Sequence, residues 1–450
     1  MVVLWTDALI FMLCFAVLGL AFFLRGKEHI KRPLQKIAHS KVGMVSLVVL
    51  LFFVLIGLLD SVHFKPANNK SNEIVSILDY WATPLREHGE KTYSAPLATT
   101  LFSKEMMTQA DGTTQWGYPR LEFGGRHLDD PETQHLSDVL KKAAYGFFHG
   151  AGLFGLIILF YLGIRRILHG KKWYVFFFSS TAKSVWTVLF IIVSLSYTLI
   201  YLSAYYHVLG TDKVGEDVFY QAVKSIRTGL VLGTLTTLIM LPMAMIFGIL
   251  AGFFRGWVDD VIQYIYTTLN AIPSVLLIAA SILMVQVYMA NHEHDFTSVI
   301  VRADIRLLFL CLILGVTNWT GLCRLLRAET LKLREMEYVQ AAQALGVKQN
   351  MILLRHILPN VMHIVLISVV LDFSSLVLAE AVLSYINIGV DPTTYSWGNM
   401  INGARLEMAR EPIVWWSLSA AFLFMFTLVL AANLFADTVQ DAFDPRQSGG

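Results

Sequence analysis

Glu337-Tyr-Val-Gln-Ala-Ala-Gln-Ala-Leu-Gly-Val-Lys-Gln-Asn-Met-Ile-Leu-Leu-Arg-His-Ile-Leu-Pro-Asn360 is a polar stretch between two long apolar runs. Its residue order carries helix grammar. Glu337 to Leu345 is rich in strong helix formers. Gly346 can take the positive φ that ends a helix. A second short helix is expected over Lys348 to His356. Pro359 then stands where a new helix can start, because a first turn leaves its backbone donors unpaired anyway. The stretch reads as helix, tight turn, helix, then entry into an apolar segment. Taken alone, it could also be an ordinary amphipathic connector.

The layout resembles the cytoplasmic coupling loop of ABC-importer permeases, which has a Glu-Ala-Ala head, a downstream Gly and an Ile-x-Leu-Pro tail. Gln340, Ala341, Ala342, Gly346, Leu358 and Pro359 fit that pattern, with Gln340 in place of the Glu and His356 at the Ile position. Arg355-His356-Ile357-Leu358-Pro359-Asn360 is the spelling of the dipeptide/oligopeptide/nickel branch. The resemblance implies that the loop docks into a cleft of an ATPase subunit and passes its motion to the membrane helices. The coupling residues it implies are Gln340, Ala341, Ala342, Gly346, Asn350, Leu353, His356 and Pro359. Small Ala faces allow close approach, and the Gly fixes an angle between two short rods.

Composition agrees with a membrane chain. Of 450 residues, 56% are hydrophobic and 15% charged, against about 25% charged in a soluble globular protein. The apolar residues are blocked into runs of about 20, the length that crosses a bilayer. The net charge of +2 says nothing of partners, because charge is segregated by loop. Cys14, Cys311 and Cys323 lie in or at the edge of apolar runs without zinc or redox spacing, and read as buried free thiols.

About nine spans are expected. Leu4 to Leu24 has no positive residue before it, whereas Arg25, Lys27, Lys31, Arg32, Lys36 and Lys41 follow. A cleaved signal peptide carries its positive charge first, so this is read as a retained helix. The positive-inside rule puts the N-terminus outside and 25–41 in the cytoplasm. Val42 to Leu59 runs outward. Asp60 to Tyr145, polar with scattered Pro, Gly and aromatics, is expected to be a partly ordered extracytoplasmic loop or subdomain. Gly146 to Ile164 returns to the basic cluster Arg165, Arg166, Lys171 and Lys172, and Trp186 to Tyr206 goes back out. Trp173 to Phe178 reads as an interfacial anchor rather than a span. Thr228 to Gly252, Leu269 to Ala290, Leu307 to Cys323, Val361 to Ile386 and Pro412 to Ala436 complete the set and leave the C-terminus inside.

Motifs on these later spans extend the resemblance. Gly210-Thr211-Asp212-Lys213-Val214-Gly215-Glu216-Asp217 is similar to the family's Gly-Thr-Asp-x-x-Gly-Arg-Asp, with Glu216 for the Arg. Asp217 to Arg227 is expected to be a short amphipathic helix at the outer interface. Gly233, Gly248, Gly252 and Pro242 suit close helix packing in the fifth span. Asp259 leads to Ala271-Ile272-Pro273 at the family's spacing, but Tyr264 and Thr267 stand where the family has Arg and Asp. A charged contact common there is therefore expected to be missing. Glu380-Ala-Val-Leu-Ser-Tyr-Ile-Asn-Ile-Gly389 matches Glu-Ala-x-Leu-Ser-Phe-Leu-Gly-Leu-Gly, with Asn387 for the first Gly. Ser396-Trp397-Gly398 and the tail Asp437, Asp441, Asp444-Pro445-Arg446 continue it.

The resemblance covers 207–446 closely and 38–60 more loosely. It implies an all-α polytopic membrane protein with a type I ABC importer transmembrane domain. The expected parts are an extra helix and basic loop (1–41), a first core helix (42–59), the outer segment (60–145), an extra hairpin (146–206), and the permease core (207–446) with its coupling loop at 327–360. If the fourth span were the family's first helix instead, the core would begin at Trp186.

No P-loop, nucleophile elbow, zincin motif or dinucleotide fingerprint occurs in the sequence, so the chain is expected to have no catalytic or metal site of its own. His292, Glu293, His294 and Asp295 in an outer loop could seed a metal site, but read as solvated. The resemblance implies ATP and Mg on two partner ATPase subunits, a second permease subunit, an extracytoplasmic binding protein, no nucleic acid, and a bacterial inner-membrane location. Peptides or peptide-like solutes are the implied cargo. Asp372, Ser375 and Glu380 lie in an apolar span, where ionisable groups line paths or gates or bond between helices. An ion-coupled secondary transporter using Asp372 and Glu380 is one alternative. A scaffold whose outer loop does the binding is another.

Overall fold

The computed structural model describes residues 3–24, 28–65, 74–108, 114–169, 179–292, 294 and 298–443. Trp173 to Phe178 and the tail Asp444-Pro445-Arg446 lie outside these. The first elements are α1 (Trp5–Leu24), α2 (Glu28–His39) and α3 (Lys41–Asp60), then strands β1 (His63–Phe64) and β2 (Val75–Ser76). The short helices α4 (Ile77–Trp81) and α5 (Thr83–Glu87) and strands β3 (Glu105–Thr108) and β4 (Thr114–Gly117) follow. Next come α6 (Pro131–His169), α7 (Ser180–Ser203), α8 (Val218–Phe254), α9 (Gly256–Ala271), α10 (Ser274–Asn291) and α11 (Val299–Arg334). The chain closes with α12 (Glu337–Ala344), α13 (Gln349–Ile352), a π-turn (Leu353–Ile357), α14 (Leu358–Tyr385), α15 (Trp397–Glu407) and α16 (Trp416–Phe443).

Each expected span falls on a helix. Among the described residues, seven stretches are long and apolar enough to cross a membrane: α3, 131–164 of α6, α7, α8, α10, the run 349–385, and α16. Several boundaries differ from the sequence reading. α6 starts at Pro131 rather than Gly146, because its first turns are polar and escape a hydropathy reading. At 39 residues it is about 58 Å long, nearly twice the hydrocarbon thickness. The sixth span begins at Ser274, because Pro273 separates it from the amphipathic helix α9. The amphipathic segment after Asp217 is the first part of α8 and is continuous with the fifth span. Cys311 and Cys323 are buried free thiols, but Cys14 is only half-buried.

Two compact units form. The first comprises 38–227 and 395–428. In it, α6 and α7 pack through Gly146 and Gly150, whose added Cβ atoms would fall 2.9 Å from Thr198 Cα and 2.8 Å from Ser194 Cα. Small residues four apart permit that approach. Described residues of the 60–130 segment fasten onto the Gly210–Asp217 motif. Glu90 N donates to Gly215 O at 2.9 Å, Ser94 N to Thr211 Oγ1 at 2.7 Å, and Trp416 Nε1 to Thr211 O at 2.9 Å. Beneath it, His207 lies between Asp217 (2.8 Å) and Glu90 (3.4 Å). Lys224 bridges Asp60 (2.9 Å) and Asp79 (2.5 Å).

The second unit comprises 2–37, 228–394 and 429–450. One core gathers Leu232, Leu235, Ile282, Leu307, Leu310, Leu314 and Leu383, with Leu9 and Ile10 of α1 packed against it. Thr6 donates its N–H to Asp304 Oδ2 at 3.2 Å and its hydroxyl to Oδ1, so a carboxylate of α11 caps the first turn of α1. A second core joins Met240, Phe253, Trp319, Leu322 and Leu326 to Val339, Ala342, Ile352 and Ile357. At Gly248 and Gly252, added Cβ atoms would lie 2.7 Å from the carbonyl oxygens of Cys323 and Arg327, so α8 meets the backbone of α11 directly.

Candidate coupling elbow and membrane path

α12 has two faces. Val339 and Ala342, three residues apart, are buried in the second core, while Gln340, Ala341, Gln343 and Ala344 are exposed. Its end is a complete Schellman motif. Val347 N donates to Ala342 O at 3.1 Å and Gly346 N to Gln343 O at 3.0 Å, with Gly346 at φ +73°. A glycine suits this position because other L-residues resist that backbone region.

The second expected helix does not stand alone. Gln349–Tyr385 is one 37-residue helical run, interrupted only by the π-turn at Leu353–Ile357. Pro359 explains the turn. It has no N–H and its ring crowds the carbonyl of the residue four before it, so the preceding turn widens. The elbow therefore has one sharp corner, at Gly346, and its second rod is rigidly continuous with α14.

Polar bonds tie the elbow down. Asn360 Nδ2 donates to His356 O at 2.6 Å and to Tyr338 Oη at 3.1 Å. Arg255 pairs with Glu335 at 2.5 Å. Arg327 grips Asp259 with two bonds, joining α11 to α9. The sequence does not announce this clamp, which is a different contact from the one expected to be missing at Tyr264 and Thr267, positions that carry no charge. Spacing in the sequence singles out Asp259, but nothing local marks Arg327 as its partner.

Of the expected coupling residues, Gln340, Ala341, Gly346, Asn350 and Pro359 are exposed. Leu353 and His356 are half-buried, and Ala342 packs inward. The outward apolar groups are ones not singled out from sequence: Leu345 at 83% exposure, Leu354 at 63%, and Met351. Helical periodicity could have found them, since they lie on the side opposite Val339 and Ile352.

On α14, Ser375 is exposed and donates to Asp372 O at 2.8 Å, and the Asp372 side chain is half-buried. Leu371, Leu378 and Val382 share the exposed stripe with Ser375. Glu380 differs: it is 2% exposed and accepts from Ser384 Oγ at 2.7 Å. α14 ends in a second Schellman motif, Ile388 N to Leu383 O (2.9 Å) and Asn387 N to Ser384 O (3.0 Å), with Asn387 at φ +62°. Asn is among the few residues besides Gly that tolerate this region, which accounts for its place in the motif. Gly389 lies against Ser384, and a Cβ there would overlap its Oγ. Arg306 holds the following loop through Gly389 O at 3.2 Å and Asp391 at 3.5 Å.

In the loop after α10, His292 Nδ1 bonds Tyr288 O at 2.9 Å. Glu293 and Asp295 lie outside the described residues, among which no cluster able to hold a metal occurs.

Residues 244–449 match the family described as binding-protein-dependent transport system inner membrane component. The chain is 31% identical over 242 residues to a glutathione transport system permease protein of Pectobacterium atrosepticum, covering 53% of this chain and 73% of that one. It is 30% identical over 242 residues to a dipeptide transport system permease protein of Lactococcus lactis, covering 54% of this chain and 64% of the relative. Against an oligopeptide transport system permease protein of Bacillus subtilis the identity is 29% over 240 residues, 53% of this chain and 72% of that one. These matches do not favour the ion-coupled alternative.

Proposed function

The chain belongs to the binding-protein-dependent transport system inner membrane component family, and from that membership we propose that it is one permease subunit of an ATP-driven importer of peptides or peptide-like solutes. A homologous permease completes the path. Two ATPase subunits carry ATP and Mg, and an extracytoplasmic binding protein delivers the solute at the inner membrane. The names of the relatives support the cargo class.

The observation that carries this reading is the elbow. It buries Val339, Ala342, Ile352 and Ile357, presents Leu345, Met351 and Leu354 outward, and runs without a flexible joint into α14. A push on the exposed apolar ridge moves the spanning helix, because the packed second core does not deform continuously. ATP supplies the shift by binding the closed ATPase dimer more tightly than the open one. The path is assigned to the stripe of Leu371, Ser375, Leu378 and Val382, with Asp372 beside it.

The test is co-purification of the tagged chain, with stimulation of ATPase activity measured across a peptide panel. Leu345→Asp with Leu354→Asp is expected to release the ATPase subunits while leaving the permease pair intact. Retention of full stimulated ATPase activity in that variant would refute the assignment.

A further inference from the structure

α2 is too short to cross a bilayer, because its 12 residues span only about 18 Å against about 30 Å of hydrocarbon. It is two-sided. Leu34 and Ile37 lie three apart on one side, and Arg32, Lys36 and His39 fall on the opposite side, with Lys31 at the flank. Glu28 is its single acid. Lys31, Arg32 and Lys36 are all exposed. Lys31 and Lys36 carry no ion pair among the described residues.

Its place is fixed by one contact within the second unit. Ile37 is buried against Val439 and Ala442, with Phe435 and Phe443 alongside, in the last turns of α16. α16 is a candidate span of 28 residues, longer than the roughly 20 that cross the hydrocarbon, and its last turns, which carry Asp437 and Asp441, fit the headgroup level. α2 is held at that level, with Leu34 still 54% exposed on its apolar side. A basic helix lying at a bilayer boundary with an uncovered leucine has the character of an interfacial helix. Over 25–41 the sequence carries Arg25, Lys27, Lys31, Arg32, Lys36 and Lys41 against Glu28 alone, a surplus that the exposed acids of α16 nearby, Asp437 and Asp441, reduce but do not cancel.

We propose that α2 is a lipid-reading helix whose Lys31 and Lys36 take the phosphates of anionic phospholipids while Leu34 enters the acyl region. Bound lipid fastens α2, and through Ile37 the end of α16, to the membrane surface. Charge complementarity chooses the occupant. Zwitterionic headgroups offer no net attraction, whereas an anionic surface attracts each basic residue near it. The proposal rests on the chain spanning a membrane and is independent of the solute carried and of which face α2 occupies.

The experiment uses the full chain with its co-purifying subunits, melted in phosphatidylcholine nanodiscs with and without phosphatidylglycerol. Phosphatidylglycerol is expected to raise the melting temperature of the wild type, and about 0.5 M salt to erase the gain. Lys31→Gln with Lys36→Gln is expected to weaken the apparent lipid affinity roughly 30-fold, while Lys31→Arg with Lys36→Arg retains it. Phospholipid extracted from the purified wild type, enriched in phosphatidylglycerol over the bulk membrane, supplies a reading that needs no variant. Equal stabilisation by the two lipids, insensitivity to salt, or an unchanged response of the Gln variant would overturn the proposal. So would loss of a protein subunit from the Gln variant without any change in lipid response, which would assign the helix to a protein partner.

Discussion

Arg327 holds Asp259 in a two-pronged grip, Nε to Oδ1 at 2.5 Å and Nη2 to Oδ2 at 2.6 Å. The pair is partly buried, with side-chain exposures of 23% and 14%, so water screens it less than a surface pair. It ties α9 to α11 just before the chain enters the elbow. Replacing either residue by Ala is expected to cost roughly 1–3 kcal/mol. The double replacement should cost well under the sum, because each single change strands the other charge. Arg327→Lys should recover only part, since an ammonium cannot reproduce the fork. Melting of the four proteins in one lipid tests this; additive losses would mean that the two residues act independently.

Gly346 offers a cleaner test, because nothing lies within 4 Å of a Cβ built there. Any penalty is therefore one of backbone strain at φ +73°. Gly346→Asn is expected to retain most uptake. Gly346→Ala should cost roughly 1–2 kcal/mol, and Gly346→Val more, with ATP hydrolysis no longer matched by transport. The readout is the ratio of solute moved to ATP hydrolysed. Normal coupling in Gly346→Val would show that the corner needs no left-handed residue.

The His207 triad predicts a pH window for the first unit. Burial by itself would push the imidazole down, but its bond to Asp217 and the Glu90 carboxylate beside it outweigh this and raise it from 6.5 to about 9. Burial would push Glu90 up, yet His207 and the backbone N–H groups of Glu122, Phe123 and Gly124 hold it at about 2 instead of 4.5. A raised His pKa means stability that is full below pH 6.5 and lost as pH rises through about 9. A depressed Glu pKa means stability that is full above pH 4.5 and lost as pH falls through about 2. Both contributions are complete only between those inner limits. Melting followed across this range should show the alkaline decline in wild type and its absence in His207→Gln. An unchanged alkaline limb in the variant would assign the loss to other groups.

What could be read ahead of the structure was what local residue chemistry dictates. Gly346 announced its turn because few other residues accept that φ, and the apolar runs announced helices because their lengths match a bilayer. The polar first turns of α6, from Pro131, read as loop because hydropathy sees only the lipid-facing part of a helix. The Thr6–Asp304 cap, the Glu90–Gly215 bond and the Arg327–Asp259 clamp join residues distant in sequence, and no periodicity relates their members. Pro359 was read correctly as compatible with a helix start, yet whether the chain breaks or widens there depends on the packing of Ile352 and Ile357. The sequence paired Asp372 with Glu380 as two acids in one span, and only their burial tells them apart.

That difference gives the two acids separate expected roles, Glu380 in the fold and Asp372 in the proposed path. Glu380 is buried and bonded to Ser384, which itself packs against Gly389, so Glu380→Ala is expected to destabilise the outer end of α14 by roughly 1–3 kcal/mol. Its effect on transport should follow from the loss of folded protein, and Gln, which keeps an acceptor for the Ser384 hydroxyl, should restore much of it. Asp372 lies beside the exposed Ser375 stripe, and an ionisable group at that depth is costly unless it is used. Asp372→Asn should therefore leave melting nearly unchanged while altering the solute profile, with peptides bearing a free amino terminus losing more than their acetylated forms. Uptake measured with matched free and acetylated peptides, alongside melting, distinguishes the two roles. Equal losses for both peptide forms, or a melting drop in Asp372→Asn as large as that in Glu380→Ala, would return Asp372 to the structural scaffold.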